Sequence, residues 1–125
     1  MLDTNVAIHL RDGDARIDVR MDALDPPLLL SVISRVELEA GLGRADANAD
    51  DRRARLDALL DAVPVLPFGG TEAQVYRTIV EACGFSRRKV LDRMIAAQAI
   101  AVDATLVTLN GDDFRDIPGL TLLEW

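Results

Sequence analysis

The stretch LDRMIAAQAIAVDATLVTL, residues 91–109, carries the pattern from which the fold is predicted. Its first part places apolar residues at the three- and four-residue spacing of one helix face: Leu91, Met94, Ile95, Ala99 and Val102. Residues 105–109 then form a short, mostly apolar run, which is typical of a strand covered on both faces. A helix that leads directly into a buried strand indicates an α/β fold.

The same alternation is found elsewhere in the chain. Two more stripes at helical spacing are expected to pack in the core: Leu56, Leu59, Leu60 and Val63, and Tyr76, Ile79, Val80 and Cys83. A shorter helix is predicted to begin at Ser34, where Ser-Arg-Val-Glu matches a capping box, and to end near Gly41. Three further apolar runs predict strands: residues 28–33, 63–68 and 120–123.

Alternating strands and helices predict a three-layer α/β/α sandwich with a mostly parallel sheet and right-handed crossovers. Pro64 and Pro67 place residues 63–68 at an edge of that sheet. With 125 residues, half of them hydrophobic, residues 1–125 are expected to form a single domain. In this architecture, helix N-termini and strand C-termini share one edge, where ligands bind.

Composition excludes several classes of protein. No apolar run approaches the ~20 residues that cross a bilayer, so we expect a cytoplasmic protein with no membrane partner. The single cysteine, Cys83, cannot form an internal disulfide, and with the single histidine, His9, it does not match a structural zinc site. One histidine also excludes a ribonuclease that uses a histidine pair as acid and base. The net charge of -7 argues against broad, charge-driven binding to nucleic acid.

Carboxylates from four distant segments are expected to meet at the ligand-binding edge. Asp3 ends the first apolar segment, Glu37 lies in the first turn of the helix after residues 28–33, and Asp92 lies at the start of the helix that leads into residues 105–109. Asp112 and Asp113 follow the strand at 105–109. Each acid also has an ordinary explanation, as a helix cap, a capping-box partner or a turn residue. Their shared location is what favours a functional site.

Four converging carboxylates require a cation. Two carboxylates ~4 Å apart repel by ~4 kcal/mol at an effective dielectric of ~20, so the group would not stay ionised alone. An acid-only set of oxygen ligands suits one or two hard ions, Mg²⁺ or Mn²⁺. Such ions orient phosphodiesters and acidify water, so the pattern predicts a metal-dependent nuclease.

The chain has a local cluster of basic residues despite its negative net charge. Arg87, Arg88, Lys89 and Arg93 fall within seven positions and lead into the segment of Asp92. One interpretation is that these side chains bind the RNA backbone on either side of the scissile phosphate. The alternative is that they belong to an ordinary solvated surface loop. Arg35 and Arg44 are weaker candidates for the same role. His9 is expected to be a surface or helix residue without a catalytic part, and Cys83 a buried small apolar residue.

Taken together in order, four motifs resemble the PIN domains of VapC toxins. These motifs are Leu2-Asp3-Thr4-Asn5; Ser34-Arg35-Val36-Glu37-Leu38 with Gly41; Asp92-Arg93-Met94-Ile95-Ala96-Ala97; and Thr108-Leu109-Asn110-Gly111-Asp112-Asp113-Phe114. The resemblance extends to Ile117-Pro118-Gly119-Leu120 and Trp125, and so covers nearly the whole chain.

The resemblance implies the PIN fold and an Mg²⁺- or Mn²⁺-dependent endoribonuclease that acts as the toxin of a type II toxin-antitoxin system. It also implies a VapB-like antitoxin that blocks the active site, a homodimer, and binding to operator DNA through the antitoxin. Position by position, Asp3 and Asp92 correspond to the central metal ligands, and Glu37 and Asp113 complete the pocket. Asn5 and Thr108 correspond to residues that orient the carboxylates.

Two departures from the family pattern are visible. Only Met1 and Leu2 precede Asp3, where the family has several apolar residues, so either the first strand is short or the native start lies upstream. Asp112 adjoins Asp113, and the position before Phe114 favours Asp113 as the ligand.

Three other classes of protein compete with this interpretation. A receiver domain needs a lysine after its last strand, but Lys89 precedes a helix, and a haloacid-dehalogenase-type phosphatase needs an acid where Asn5 stands. The remaining alternative is a catalytically inactive PIN-like binding module.

Overall fold

The computed structural model describes residues 1–25, 27–43 and 46–125. Within these ranges the helices are α1 (Thr4–Arg11), α2 (Ala15–Asp22), α3 (Val32–Gly41), α4 (Ala49–Ala62), α5 (Gly70–Cys83) and α6 (Val90–Ala101). The strands are β1 (Leu30–Ser31), β2 (Val65–Leu66), β3 (Leu106–Thr108) and β4 (Leu122–Glu124). No helix in the described ranges is both long and apolar enough to span a bilayer.

The strands form a parallel arrangement around the first residues of the chain. β1 pairs with β2, and β3 pairs with β4, both in parallel. Leu2 joins the two pairs, because it forms parallel bridges to Leu30 of β1 and to Val107 of β3. The order across the sheet is therefore β2, β1, the Leu2 segment, β3 and β4. β2 lies at one edge, as its prolines predict.

Successive residues of the central segments enter two separate cores. Leu2 and Val107 pack with residues of α1 to α4 on one face of the sheet. Met1 and Leu106 pack with α5 and α6 on the opposite face. Because both faces are covered, the strands carry unbroken apolar runs, and the predicted three-layer α/β/α architecture is confirmed.

The predicted start of the third helix was wrong by one turn. α3 is capped by Ser31, whose hydroxyl accepts a hydrogen bond from the Ile33 amide at 2.9 Å, so the chain passes from β1 into helix without a loop. Ser34 is a buried residue inside α3, and Gly41 is its last residue, as predicted. The early cap also explains why β1 is shorter than the predicted strand at 28–33.

The predicted one-sided stripe of α6 was wrong at its two ends. Leu91 and Val102 are exposed, whereas residues 95–99 are all buried. α6 packs against both α5 and α3, so its middle is enclosed around most of its circumference. The short side chains of Ala96 and Ala97 permit this close packing. The stripes of α4 and α5 do face the core, although on α5 only Ile79 is fully buried.

Gln98 of α6 forms hydrogen bonds to residues of β1 and β2. Its Nε2 donates to the carbonyls of Leu66, at 3.0 Å, and Pro67, at 2.9 Å. Its Oε1 accepts a hydrogen bond from the hydroxyl of Ser31. Gln98 and Ser31 are both fully buried, so the Ser31 hydroxyl would lose its partner without access to water if the amide were removed.

We predict that Gln98→Ala lowers the free energy of unfolding by about 3 kcal/mol, because it leaves buried polar groups without partners. Urea denaturation followed by circular dichroism measures this loss. Gln74→Ala is the matched control, since Gln74 lies on α5 with an exposed side chain. Equal effects of the two substitutions would contradict a role for Gln98 in joining the layers.

Candidate active site

The four predicted acids lie at the carboxyl edge of the sheet. Asp3 directly follows the bridging residue Leu2, and Asp113 lies in a short 3-10 turn after β3. Glu37 is on α3 and Asp92 is the third residue of α6. The topology thus brings the carboxylates together as the sequence pattern predicted, although Glu37 lies in the second turn of its helix and not in the first.

Asp3 is the most deeply buried of the four acids, with 4% of its surface exposed. One carboxylate oxygen, Oδ1, accepts a hydrogen bond from the Thr4 amide at 2.8 Å and so caps α1. The other oxygen, Oδ2, accepts from the Thr108 hydroxyl at 2.7 Å. Burial raises the pKa of Asp3, the two hydrogen bonds oppose this change, and the nearby charges of Glu37 and Asp113 add to it.

Glu37 is held by the first helix and not by its own. Its Oε1 accepts a hydrogen bond from the Thr4 hydroxyl at 2.7 Å, and the same hydroxyl lies 2.9 Å from that of Ser34. The alternative role for Glu37, as a capping-box partner of Ser34, is therefore wrong. Thr4 connects two of the acids, because its backbone amide binds Asp3 and its side chain binds Glu37.

Asp92 experiences the combined charge of the other three acids. Its pKa is raised to about 6, first by burial and then by the negative charges of Asp3, Asp113 and Glu37, while Lys89 acts in the opposite direction. A carboxyl group close to half-protonated near pH 6 is unusual for an aspartate. Perturbation by burial and by specific neighbours is typical of functional sites.

The two adjacent acids after β3 have different surroundings. Asp113 is half-buried, its Oδ2 accepts a hydrogen bond from Asn110 Nδ2 at 2.5 Å, and its charge raises the pKa of both Asp3 and Asp92. Asp112 is exposed and forms an ion pair with Arg115. Asp113 therefore faces the other acids, and Asp112 faces a cation at the surface.

The two predicted supporting residues make different contacts. Thr108 is fully buried; it donates to Asp3, and its hydroxyl accepts from the Asn110 amide at 3.0 Å. Asn5 Oδ1 accepts a hydrogen bond from the Leu109 amide at 3.3 Å, and Asn5 forms no hydrogen bond to a carboxylate among the described residues. Asn5 thus ties α1 to the end of β3, and only Thr108 orients an acid directly.

The donor set at this edge consists of oxygen atoms alone, which is the chemistry that Mg²⁺ and Mn²⁺ prefer. In residues 1–25, 27–43 and 46–125, no three acidic, histidine or cysteine side chains converge closely enough to ligate one ion directly. The electrostatic coupling of the four acids nevertheless fits a cation that retains part of its water shell, since Mg²⁺ is often held by one or two carboxylates plus water.

The predicted basic cluster separates into exposed and buried members. Arg87 and Arg88 are exposed in a 3-10 turn (Arg87–Lys89) that precedes α6, and Lys89 lies 3.7 Å from Asp116. Arg93 is different, with 2% of its surface exposed and Nη1 donating to the Gly84 carbonyl at 2.6 Å. The prediction that Arg93 grips RNA is therefore corrected, because its guanidinium is enclosed by protein.

The remaining candidates from the sequence have minor roles in this geometry. Arg35 is exposed on α3, and Arg44 lies outside the described residues. His9 is a half-buried residue of α1 whose Nδ1 lies 3.2 Å from Asp14. Cys83 is half-buried, and its thiol donates to the Asp116 carbonyl at 3.2 Å, so it is not the fully buried residue that was expected.

Sequence reasoning missed Thr4, Ser34 and Asn110 as parts of the site. Thr4 donates a hydrogen bond to Glu37, and Asn110 donates one to Asp113. The hydroxyl of Ser34 is hydrogen-bonded to that of Thr4. Thr4 follows Asp3 and Ser34 precedes Glu37 by three residues, so a search for hydroxyl residues beside the acids would have found both. No local signal distinguishes Asn110 from an ordinary turn residue.

Comparison with known proteins agrees with this geometry. A family model described as the PIN domain matches residues 1–120. Ribonuclease VapC2 of Rickettsia felis is 30% identical over 131 residues, covering 100% of this chain and 96% of the relative. The crystal structure of VapBC2 from Rickettsia felis, bound to a DNA fragment from its promoter, includes a chain with 28% identity and a TM-score of 0.85, with 100% and 97% coverage. A chain of VapBC-1 from nontypeable Haemophilus influenzae has 26% identity and a TM-score of 0.80, with 100% and 96% coverage. This chain therefore belongs to the PIN-domain family, and its similarity to VapC members extends over its full length.

Proposed function

We propose that this protein is a metal-dependent endoribonuclease that acts as the toxin of a type II toxin-antitoxin system. The observation that carries the proposal is the position of Asp92 beside Asp3, Glu37 and Asp113, where burial and then these three negative charges raise the pKa of Asp92 to about 6. Four like charges from separate segments oppose folding of the metal-free protein, and a divalent cation would relieve their repulsion. The relatives named as VapC ribonucleases support the reaction type.

One set of residues would bind the metal ion, and another set would position the RNA. Asp3 and Asp92 would bind Mg²⁺ or Mn²⁺ directly, and Glu37 and Asp113 would hold its water ligands. When bound, such an ion neutralises phosphate charge and lowers the pKa of an attacking water. The hydrogen bonds from Thr4 and Thr108 favour the ionised form of Asp3 despite its burial, which keeps it available as a ligand.

Glu37 has one oxygen committed and one available. Its Oε1 accepts from Thr4, which fixes the orientation of the carboxylate, while Oε2 has no hydrogen-bond partner among the described residues. Oε2 is therefore the atom that can accept a proton from a water positioned at the scissile phosphate. Arg87, Arg88 and Lys89 would contact the RNA backbone on the α6 side of the site. A single-stranded loop is the expected substrate, because the acids must approach an unstacked backbone.

A protein partner and a second copy form part of the proposal. The solved relatives from Rickettsia felis and Haemophilus influenzae are VapBC complexes, and the former is bound to promoter DNA. We expect this chain to bind a VapB-like antitoxin, to form a homodimer, and to reach operator DNA only through the antitoxin.

The first prediction is that the purified protein cleaves single-stranded RNA with Mg²⁺ or Mn²⁺ and not with excess EDTA. Asp3→Asn and Asp92→Asn should each reduce cleavage to background, because each removes a ligand charge. Gel analysis of end-labelled RNA measures the rate, and a 5′-phosphate on the product identifies metal-assisted hydrolysis. Cleavage that is indifferent to both substitutions would indicate a contaminating nuclease, and metal binding without cleavage would favour an inactive binding module.

The second prediction concerns stability in the absence of metal. Asp92→Asn should raise the melting temperature at pH 7.5, because it removes a buried charge that three acids repel. The folded-state pKa of about 6 lies above the ordinary value of 3.8, so the folded form binds the proton more tightly. The charge of Asp92 therefore destabilises the protein as pH rises from about 4 to above 6. Consequently, the gain from Asp92→Asn should shrink as pH falls through this window.

Differential scanning fluorimetry at several pH values tests this prediction, with Asp57→Asn as the matched control. Asp57 is exposed on α4 and forms only a surface ion pair with Arg53, so its removal changes net charge equally at little cost. Adding Mn²⁺ should stabilise the wild type and not Asp92→Asn. A pH-independent gain in Asp92→Asn would refute the electrostatic explanation.

The third prediction concerns the hydroxyl of Thr108, which donates to Asp3 and accepts from the Asn110 amide. Thr108→Val preserves side-chain shape and removes the donor to Asp3 Oδ2. We expect Mn²⁺ affinity, measured by isothermal titration calorimetry, to fall by about 10- to 100-fold. Thr105→Val is the control, since Thr105 is an exposed residue just before β3. Unchanged affinity in Thr108→Val would remove Thr108 from the site.

A further inference from the structure

We infer that Phe85 is a base-stacking residue, whose exposed ring receives a nucleobase of single-stranded RNA while Arg87 and Arg88 contact the adjoining phosphates. The inference rests on the proposed function, because it assigns a binding position to the RNA that the acids would cleave. Phe85 would add an apolar contact with a base to the phosphate contacts proposed for Arg87 and Arg88.

Phe85 is unusual among the aromatic residues of this chain. Its side chain is 71% exposed, whereas Phe114 is 1% exposed and Phe68 is half-buried. A phenylalanine in water contributes nothing to the core, and it leaves a large apolar surface without a partner. Its exposed ring leaves an aromatic face available for stacking.

The turn that carries Phe85 is fastened to the rest of the protein. Gly84 ends α5 with a φ of 76°, and its amide donates to the Val80 carbonyl at 2.8 Å. The carbonyl of Gly84 accepts a hydrogen bond from the buried Arg93 at 2.6 Å. Lys89 closes the following turn, because its amide donates to the Ser86 carbonyl at 3.2 Å. The outward position of the ring therefore results from a turn fixed at both ends.

Asp116 strengthens this attachment from the opposite side. Its carboxylate lies 3.7 Å from both Lys89 Nζ and Arg93 Nη2, and its backbone carbonyl accepts from the Cys83 thiol. The loop after β3 thus holds the turn before α6. Because Arg93 is adjacent to Asp92 in sequence, Phe85 keeps a defined position relative to the carboxylates.

Charge favours RNA as the partner of this surface. Arg87 and Arg88 are exposed, and neither forms an ion pair within the part of the chain that the structure describes. An exposed ring followed in the same turn by two available guanidinium groups offers both a stacking face and phosphate contacts to a single strand. The net charge of -7 makes this concentration of positive charge stand out on the surface.

The experiment compares Phe85→Leu with Phe85→Trp. Leucine keeps an apolar side chain and removes the aromatic face, whereas tryptophan keeps a stacking surface. The probe is fluorescein-labelled single-stranded RNA of about 12 nucleotides, titrated in EDTA so that cleavage does not disturb the binding measurement. We expect Phe85→Leu to raise the Kd by about 5- to 100-fold and Phe85→Trp to change it little.

Salt dependence separates stacking from charge. Arg88→Gln should lower the slope of log K against log salt by about 0.7, because one fewer phosphate is neutralised. Phe85→Leu should leave this slope unchanged. Val19→Ala is the matched control, since Val19 is also 71% exposed but lies on α2; it should bind RNA as the wild type does.

Single abasic substitutions in the RNA identify the stacked base. At one position, loss of the base should weaken binding by the wild type and have no further effect on Phe85→Leu, which would establish the pairing. Equal Kd values for the wild type and Phe85→Leu would overturn the inference while metal-dependent cleavage by the wild type still stood. A lower molar mass of Phe85→Leu by light scattering, with unchanged RNA affinity, would instead assign Phe85 to an interface between copies and also overturn it.

Discussion

The site depends on one buried carboxylate, Asp3, placed where the central segment of the sheet ends. Leu2 bridges both neighbouring strands, so the following residue emerges at the middle of the carboxyl edge. From there Asp3 accepts hydrogen bonds from α1 and from the end of β3, through Thr4 and Thr108. These two bonds offset part of the desolvation that raises its pKa. Each of the other acids is placed relative to this fixed negative charge.

The four neighbouring acids that form the candidate site also destabilise the metal-free protein. Asp92 is half-buried near Asp3, Glu37 and Asp113, and its raised pKa shows that burial and these three charges both oppose its ionisation. The cores on the two sheet faces and the buried hydrogen bonds of Gln98 must outweigh this repulsion in the metal-free protein. Under the proposed function, this repulsion prepares the site for a cation that binds after folding. Lys89 offsets part of it at Asp92, and the hydroxyl of Thr4 fixes the orientation of Glu37.

The sequence was sufficient to predict the layers of the fold and the sheet edge at which the four acids lie, but not the contacts that orient these acids. Apolar runs without alternation identified a sheet covered on both faces, and topology alone brought Asp3, Glu37, Asp92 and Asp113 to one edge. Helix starts were less predictable: Ser31 and Ser34 are both competent caps, and only the direct passage from β1 into α3 decides between them. Arg93 was misassigned because a run of basic residues does not reveal which side chain turns inward. Such choices depend on tertiary packing, which local spacing does not encode.

The buried side chain of Arg93 connects the helix that carries Asp92 to the turn that carries Phe85. Arg93 follows Asp92 directly on α6, and its guanidinium binds the Gly84 carbonyl at the end of α5. The backbone of α6 that places Asp92 therefore also places the turn with Phe85, Arg87 and Arg88. A buried arginine with one donor, Nε, left without a partner is costly. Under the proposed function this cost has a return, because Arg93 holds the proposed RNA-binding groups at a constant distance from the acids, and hydrolysis depends on that distance.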